Sequence, residues 1–220
     1  MITLDNSVGL TDYGLTGFDA VYSYTNNGSI ITVFPQSPFI SNASLVSPIS
    51  GVTYNGIPLK FCVGQKGVGF YYLLNAPIGT HDVIVTFGLS NTGTIPANCA
   101  IVIQSYNNVL SVGAKVYSSV GGFPGGISNT LTTTADNSLV LGMFASDDYV
   151  GISVPGGTTL VANAHQTSNA EITSADSGVI TSSGTSTTIT INFSFAPHNA
   201  YAGGLELREI VGFIPQMIII

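Results

Sequence analysis

Thr188-Ile189-Thr190-Ile191-Asn192-Phe193-Ser194-Phe195 alternates a small polar side chain with a large apolar one at every step. Successive side chains of a strand point to opposite faces. This period of two therefore turns Ile189, Ile191, Phe193 and Phe195 inward and Thr190, Asn192 and Ser194 toward water. His81-Asp82-Val83-Ile84-Val85-Thr86-Phe87 repeats the pattern, with Val83, Val85 and Phe87 on one face. Ala100-Ile101-Val102-Ile103 and Leu139-Val140-Leu141 instead run unbroken, as strands do when covered on both faces or buried in an oligomer.

Working outward, the chain is a succession of short β-branched and aromatic runs punctuated by Gly, Asn, Pro and Ser, with nothing at helical period. Strands are predicted over Ser29 to Phe34, Gly51 to Tyr54, Ile57 to Val63, Val68 to Leu74, His81 to Phe87, Ala100 to Tyr106 and Ala114 to Tyr117. Further strands are predicted over Leu131 to Thr134, Ser138 to Phe144, Thr158 to Ala162, Ala170 to Ser174, Thr187 to Phe195 and Gly203 to Ile210. About a dozen strands without helices favour an all-β, two-sheet antiparallel sandwich, since an open sheet of that size curls or splits. A jelly-roll-like arrangement is preferred to an immunoglobulin-like one, because the chain has no Trp to pack against a disulfide.

The expected organisation has three parts. Residues 1–50 form an N-terminal arm or partial strand set, or alternatively the first strand with a long loop, because Pro35, Pro38 and Pro48 interrupt any ladder. Residues 51–210 form the β-sandwich, and residues 211–220 an apolar C-terminal tail. No internal repeat is evident, and the Thr181 to Thr188 run around Gly184 reads as a hairpin loop.

The 220 residues carry 4 Lys+Arg and 11 Asp+Glu, a net charge of -7, with 7% charged and 45% apolar residues. Disorder and coiled coil both need a more polar chain. Nucleic acid is excluded as a partner class on this reading, because polyanion affinity comes from Lys and Arg releasing counterions. No apolar run approaches the roughly 20 residues of a spanning helix, so no membrane partner is expected. Met1-Ile2-Thr3-Leu4-Asp5 lacks a basic export region, so folding in the cytoplasm is expected. In that compartment Cys62 and Cys99 are expected as buried thiols, with a disulfide the alternative.

Signatures of chemistry are missing. His81, His165 and His198 are spaced too widely for a local metal motif. In Gly151-Ile152-Ser153-Val154-Pro155, proline replaces the second glycine that a nucleophile elbow requires. Gly64-Gln65-Lys66-Gly67-Val68-Gly69 lacks the Gly-Lys-Ser/Thr order of a phosphate loop and reads as a hairpin turn. Asp147 and Asp148 are the only adjacent acidic pair; they read as a solvated turn, with a weak calcium site the alternative. Asp136-Asn137 reads as a turn, and Glu206 and Arg208 share a strand face suited to a salt bridge. No enzyme activity and no cofactor are expected.

Tyr54-Asn55-Gly56-Ile57-Pro58-Leu59, Pro77-Ile78-Gly79-Thr80-His81 continuing to Phe87, and Ala100 to Tyr106 followed by Asn107-Asn108-Val109 together resemble β-sandwich structural proteins of tailed bacteriophages and prophages. Thr132 to Ser138 and Ala202-Gly203-Gly204-Leu205-Glu206-Leu207 are similar to closing strands of the same group, so the resemblance covers Gly51 to Leu207. It implies a virion-associated structural protein: a capsid decoration, minor capsid or tail-associated component, made in the host cytoplasm and partnered by other virion proteins and by its own copies. It implies no catalytic residues. Low surface charge suits dense packing of copies. The alternative is a carbohydrate- or receptor-binding adhesin that would use Tyr71, Tyr72, Tyr117 or Tyr149 as stacking platforms. Interface candidates are Ile214, Met217, Ile218, Ile219 and Ile220, whose apolar side chains need cover either within the subunit or from a neighbour.

Overall fold

The computed structural model describes residues 1–13, 17–37, 48–65, 67–90, 93, 98–121, 125–147, 151–155, 159–166, 170–180, 182–194, 197 and 199–210. They form strands and no helix. In the first half the strands are β1 (Thr3–Tyr13), β2 (Asp19–Asn26), β3 (Ile30–Gln36), β4 (Ile49–Tyr54), β5 (Ile57–Pro58), β6 (Lys60–Gln65), β7 (Val68–Leu74), β8 (Gly79–Phe87) and β9 (Asn98–Asn107). In the second they are β10 (Val109–Gly121), β11 (Gly126–Thr132), β12 (Ser138–Ser146), β13 (Ile152–Ser153), β14 (Thr159–Gln166), β15 (Ala170–Ile180), β16 (Ser186–Phe193) and β17 (Asn199–Glu209).

Four antiparallel sheets result. The first half makes an inner sheet, β1-β9-β3-β7-β6, and an outer sheet, β2-β8-β4-β5; the second makes an inner sheet, β10-β17-β12-β15-β14, and an outer sheet, β11-β16-β13. Three apolar layers separate them. Val83, Val85, Phe87, Ile101 and Ile103 fill the space between the first outer and inner sheets. Phe70, Val102, Leu141, Met143 and Leu205 lie between the two inner sheets. Ile127, Val140, Phe144, Ile189 and Ile191 lie between the second inner and outer sheets. The molecule is thus two sandwiches stacked inner sheet on inner sheet.

The two halves share one strand order. Matching β1–β4 with β10–β13 and β6–β9 with β14–β17 superposes both inner and both outer sheets in sequence of pairing. β5 and β6 act as a single strand bent at the buried Leu59: β5 pairs with β4 in the outer sheet, and β6 with β7 in the inner one. Counting them as one, strands 1-8-3-6 face strands 2-7-4-5, the eight-strand jelly-roll order. The repeat lies in topology and not in residue identity, because a jelly roll asks each strand only for alternating apolar side chains.

The organisation differs from the sequence expectation in three places. The chain divides at Asn108, a single residue with φ 61° between β9 and β10, and not at Ser50, which lies inside β4. Residues 1–50 supply β1, β2, β3 and the start of β4. Pro35 does sit in a strand: it replaces an amide in β3 while its neighbours keep pairing with β9. Residues 182–185 are not a hairpin loop, since β15 and β16 belong to different sheets. They cross between the second inner and outer sheets, and Gly184 N–H donates to Thr133 O at 2.7 Å.

Strands read as covered on both faces are so covered. In β9, Ala100 and Val102 face the other inner sheet while Ile101 and Ile103 face the outer sheet, and Leu141 and Val140 divide in the same way on β12. Cys62 and Cys99 are both buried but in different layers, which rules out their disulfide. Where β1 meets β14 the inner sheets touch backbone to backbone. A Cβ on Gly9 would overlap the Asn163 carbonyl, and Ser7 Oγ donates to Val161 O at 3.3 Å. Across the same interface Gln36 Nε2 donates to Ser146 O at 2.7 Å.

Candidate functional site

The residues proposed to carry chemistry are mostly committed to structure. Asp147 is buried; its Oδ1 accepts from Asn199 N at 2.8 Å and its Oδ2 from Asn199 Nδ2 at 2.7 Å, pinning the start of β17 beside the end of β12. This carboxylate is a strand clamp, and Asp148 lies outside the described residues. Among the described residues no group of three or more His, Cys, Asp or Glu could hold a metal. His81 sits against Tyr54, ring centroids 5.5 Å apart, with Nε2–H donating to Ile78 O at 3.2 Å. His198 and the side chain of His165 lie outside the described residues.

The stacking candidates do not converge. Tyr71 and Tyr72 are adjacent on β7 and face opposite layers, with Tyr71 only 7% exposed. Tyr117 packs partly buried against the layer between the inner sheets, and Tyr149 lies outside the described residues. Phe61 beside them is open to solvent, 54% exposed and edge-on to Tyr71 at 5.4 Å. Burial pushes the Tyr71 hydroxyl up to about 12 and the Cys62 thiol up to about 11, so neither supplies an anion at neutral pH.

One carboxylate is held in an unusual way. Glu206 on β17 is fully buried. It accepts from Thr134 N at 2.7 Å, Thr134 Oγ1 at 2.6 Å, Ala114 N at 2.8 Å, Ser138 Oγ at 2.8 Å and Ala135 N at 3.1 Å. Arg208 Nε stands 3.5 Å from its Oε2, as the shared strand face predicts. Burial alone would push this carboxyl up, but the hydrogen bonds outweigh it and hold the group down at about 2. The first half has a counterpart: Asp5 Oδ2 accepts from Asn27 N at 2.8 Å and from Ser105 Oγ at 2.7 Å. In each jelly roll a carboxylate caps the turn between the second and third strands. Nothing in the residue pattern singles out these capping roles, because the partners are backbone amides distant in sequence.

What remains available for contact is outward-facing surface. On the second outer sheet β11 and β16 pair without a bulge from Gly126↔Asn192 to Thr132↔Ser186. Their outward side chains join in hydroxyl pairs: Ser128 with Thr190 at 2.8 Å, Thr130 with Thr188 at 2.7 Å and Thr132 with Ser186 at 3.0 Å. No charged side chain stands on those strands. On the first outer sheet the register aligns Val21, Ile84, Thr53 and Pro58 across four strands, with Asp19 and Asp82 the charges on that sheet's strands.

A further feature lies where the two halves join. Asn108 Nδ2 donates to Met1 O and Ile210 N to Asn108 O, both at 2.9 Å, and the Met1 amino group pairs with Glu209. Met1, Leu4, Leu110 and Ile210 are exposed apolar residues at this end, and residues 211–220 continue from it. Ile214, Met217, Ile218, Ile219 and Ile220 lie outside the described residues. Among the described residues no helix is long and apolar enough to cross a membrane.

No protein-family model matches the chain, and no curated protein matches it in sequence.

Proposed function

We propose that the protein is a structural component of a bacteriophage particle, a capsid decoration, minor capsid or tail-associated subunit that works through contacts between copies and with other virion proteins. The observation that carries this reading is the nearly uncharged outer surface of a doubled jelly roll. The second outer sheet presents a hydroxyl ladder without a charge, and the first presents Val21, Ile84 and Pro58 in one row. The second outer sheet can approach another copy without like-charge repulsion even though the chain carries -7, whereas Asp19 and Asp82 flank the apolar row on the first. Jelly rolls serve as capsid and lectin domains alike. The adhesin alternative is less well supported, because Tyr71 is buried and Tyr72 and Tyr117 pack into the core layer.

In this reading the apolar segment Ile214, Met217, Ile218, Ile219 and Ile220 contributes to holding copies together, through main-chain pairing at a neighbour's sheet edge. The test is sedimentation velocity of the full chain beside a version ending at Ile214, with a thermal melt of each, and co-purification with particles. Assembly lost with an unchanged melt supports the intersubunit role. A lowered melting temperature assigns the segment to its own subunit. A full chain that stays monomeric at high concentration and associates with no particle overturns the proposal.

A further inference from the structure

We propose that Asn55 is a site of spontaneous deamidation and isoaspartate formation, selected by the fold over the chain's other Asn-Gly dipeptide, Asn27-Gly28. The chemistry needs a backbone amide nitrogen free to attack the preceding side chain. The Gly56 nitrogen bonds to Asn55 Cγ, the Cγ–Nδ2 bond breaks, and ammonia leaves with the proton from Gly56, closing a five-membered succinimide. Water then opens the ring at either carbonyl, giving aspartate or isoaspartate.

The two dipeptides share an exposed asparagine and differ at the glycine nitrogen that must attack. Asn55 and Gly56 are the two central residues of the β4–β5 hairpin, with φ 50° and 73°, and both are exposed. This is the type I′ geometry that Asn-Gly favours. The hairpin pairing is closed by Tyr54 and Ile57, and Asn55 N donates to Asp82 O at 3.0 Å, while Gly56 N has no hydrogen bond among the described residues. Nothing lies within 4 Å of the position a Gly56 Cβ would take. The nucleophile is therefore open to solvent and the amide side chain is uncommitted.

Gly28, by contrast, is buried against the backbone of Tyr106, where a Cβ would come 2.6 Å from the carbonyl oxygen. Its N–H donates to Asn26 Oδ1 at 3.0 Å, and Asn27 N–H donates to Asp5 Oδ2 at 2.8 Å. Reaction there requires the β2–β3 turn to open first. At Asn55 it does not. The product places a new carboxylate beside Asp82, and isoaspartate adds a backbone carbon to a two-residue turn whose register sets the bent β5–β6 strand.

The experiment ages the native full chain in mildly alkaline buffer, beside a sample held unfolded in denaturant, and follows both dipeptides by peptide mapping with mass spectrometry and isoaspartyl methyl transfer. In the native chain Asn55 converts roughly tenfold or more faster than Asn27, because a protected site reacts only through opening. In denaturant the two convert at similar rates. An Asn55→Gln variant loses the signal at this peptide, with a small drop in melting temperature because glutamine accepts a φ of 50° less readily than asparagine. Equal native rates, faster conversion at Asn27, or an Asn55 that stays intact while the unfolded chain reacts at both sites overturns the proposal.

Discussion

Thr134 donates its backbone amide to one carboxylate oxygen of Glu206 at 2.7 Å and its hydroxyl to the other at 2.6 Å, although the two residues lie 72 positions apart. The turn between β11 and β12 is thereby fastened to the last strand of the same jelly roll. With Ala114, Ala135 and Ser138 also donating, the carboxylate stays ionised in a site from which water is excluded. The chain uses few charges, and it buries this one.

Glu206→Gln keeps the shape but points an amide NH₂ at groups that are themselves donors. The substitution is expected to destabilise the protein by about 2–3 kcal/mol at neutral pH, the scale of charged hydrogen bonds lost in a buried site. The folded value of about 2 lies below the ordinary 4.5, so this stabilisation is present above the ordinary value and is lost as pH falls toward the folded one. Denaturant unfolding of both proteins from neutral to acid pH checks this. The gap in stability should narrow below about pH 4.5; a gap that stays constant would refute the assignment.

Gly9→Ala tests how the two jelly rolls meet. The added methyl group would run into the Asn163 backbone, which has no rotamer by which to yield, so the inner sheets must part at that edge. A loss of about 2–4 kcal/mol is expected from such overpacking. Gly51→Ala is the control. It also lies in a strand, but nothing is within 4 Å of the new methyl, and its melting temperature should match or exceed that of the parent.

Two buried tyrosines should respond in opposite ways to loss of the hydroxyl. Tyr24 Oη donates to Asn6 O at 2.8 Å and lies 2.9 Å from Ser105 Oγ, so Tyr24→Phe is expected to cost about 1–2 kcal/mol. Tyr106 Oη is buried between the inner sheets with no hydrogen-bond partner among the described residues. Tyr106→Phe should be neutral or stabilising by up to about 1 kcal/mol, since it removes a desolvated hydroxyl that gains nothing from the fold. Equal losses at both sites would mean that Tyr106 has a partner.

Strand faces were legible in the sequence at β8 and β9. Val83, Val85 and Phe87 point inward on β8, and the unbroken Ala100 to Ile103 run marks a strand with a layer on each side. β1 was not legible. Thr3–Tyr13 has neither a steady alternation nor an apolar run, and it becomes a strand because β9 offers it a pairing edge. β2 was hidden in a different way. Ala20, Tyr22 and Tyr24 do alternate into the core, but the surrounding Asp and Pro residues suggest an arm. The doubling is not legible in the sequence because corresponding strands share an order of pairing and no motif. As for the candidate site, the shared face of Glu206 and Arg208 follows from period two, whereas the amides that hold Glu206 come from a turn that only the closed jelly roll brings near.

The outward faces give the assembly proposal its sharpest test. Val21 is 52% exposed on the first outer sheet, and Thr188 is exposed in the hydroxyl ladder of the second. Because both side chains already face water, Val21→Lys and Thr188→Lys should each change subunit stability by no more than about 0.5 kcal/mol. If the outer sheets are the surfaces that copies press together, each lysine becomes a charge taken out of water without a partner. That desolvation penalty is still several kcal/mol per ion after relaxation, enough to dissolve a contact of ordinary strength. Sedimentation of each single variant and of the pair, with thermal melts alongside, separates the outcomes. Loss of assembly with one lysine assigns the contact to that sheet. If the double variant assembles as the parent does with an unchanged melt, the contact lies at neither outer face, and the end bearing Leu110 and Ile210 becomes the surface to alter next.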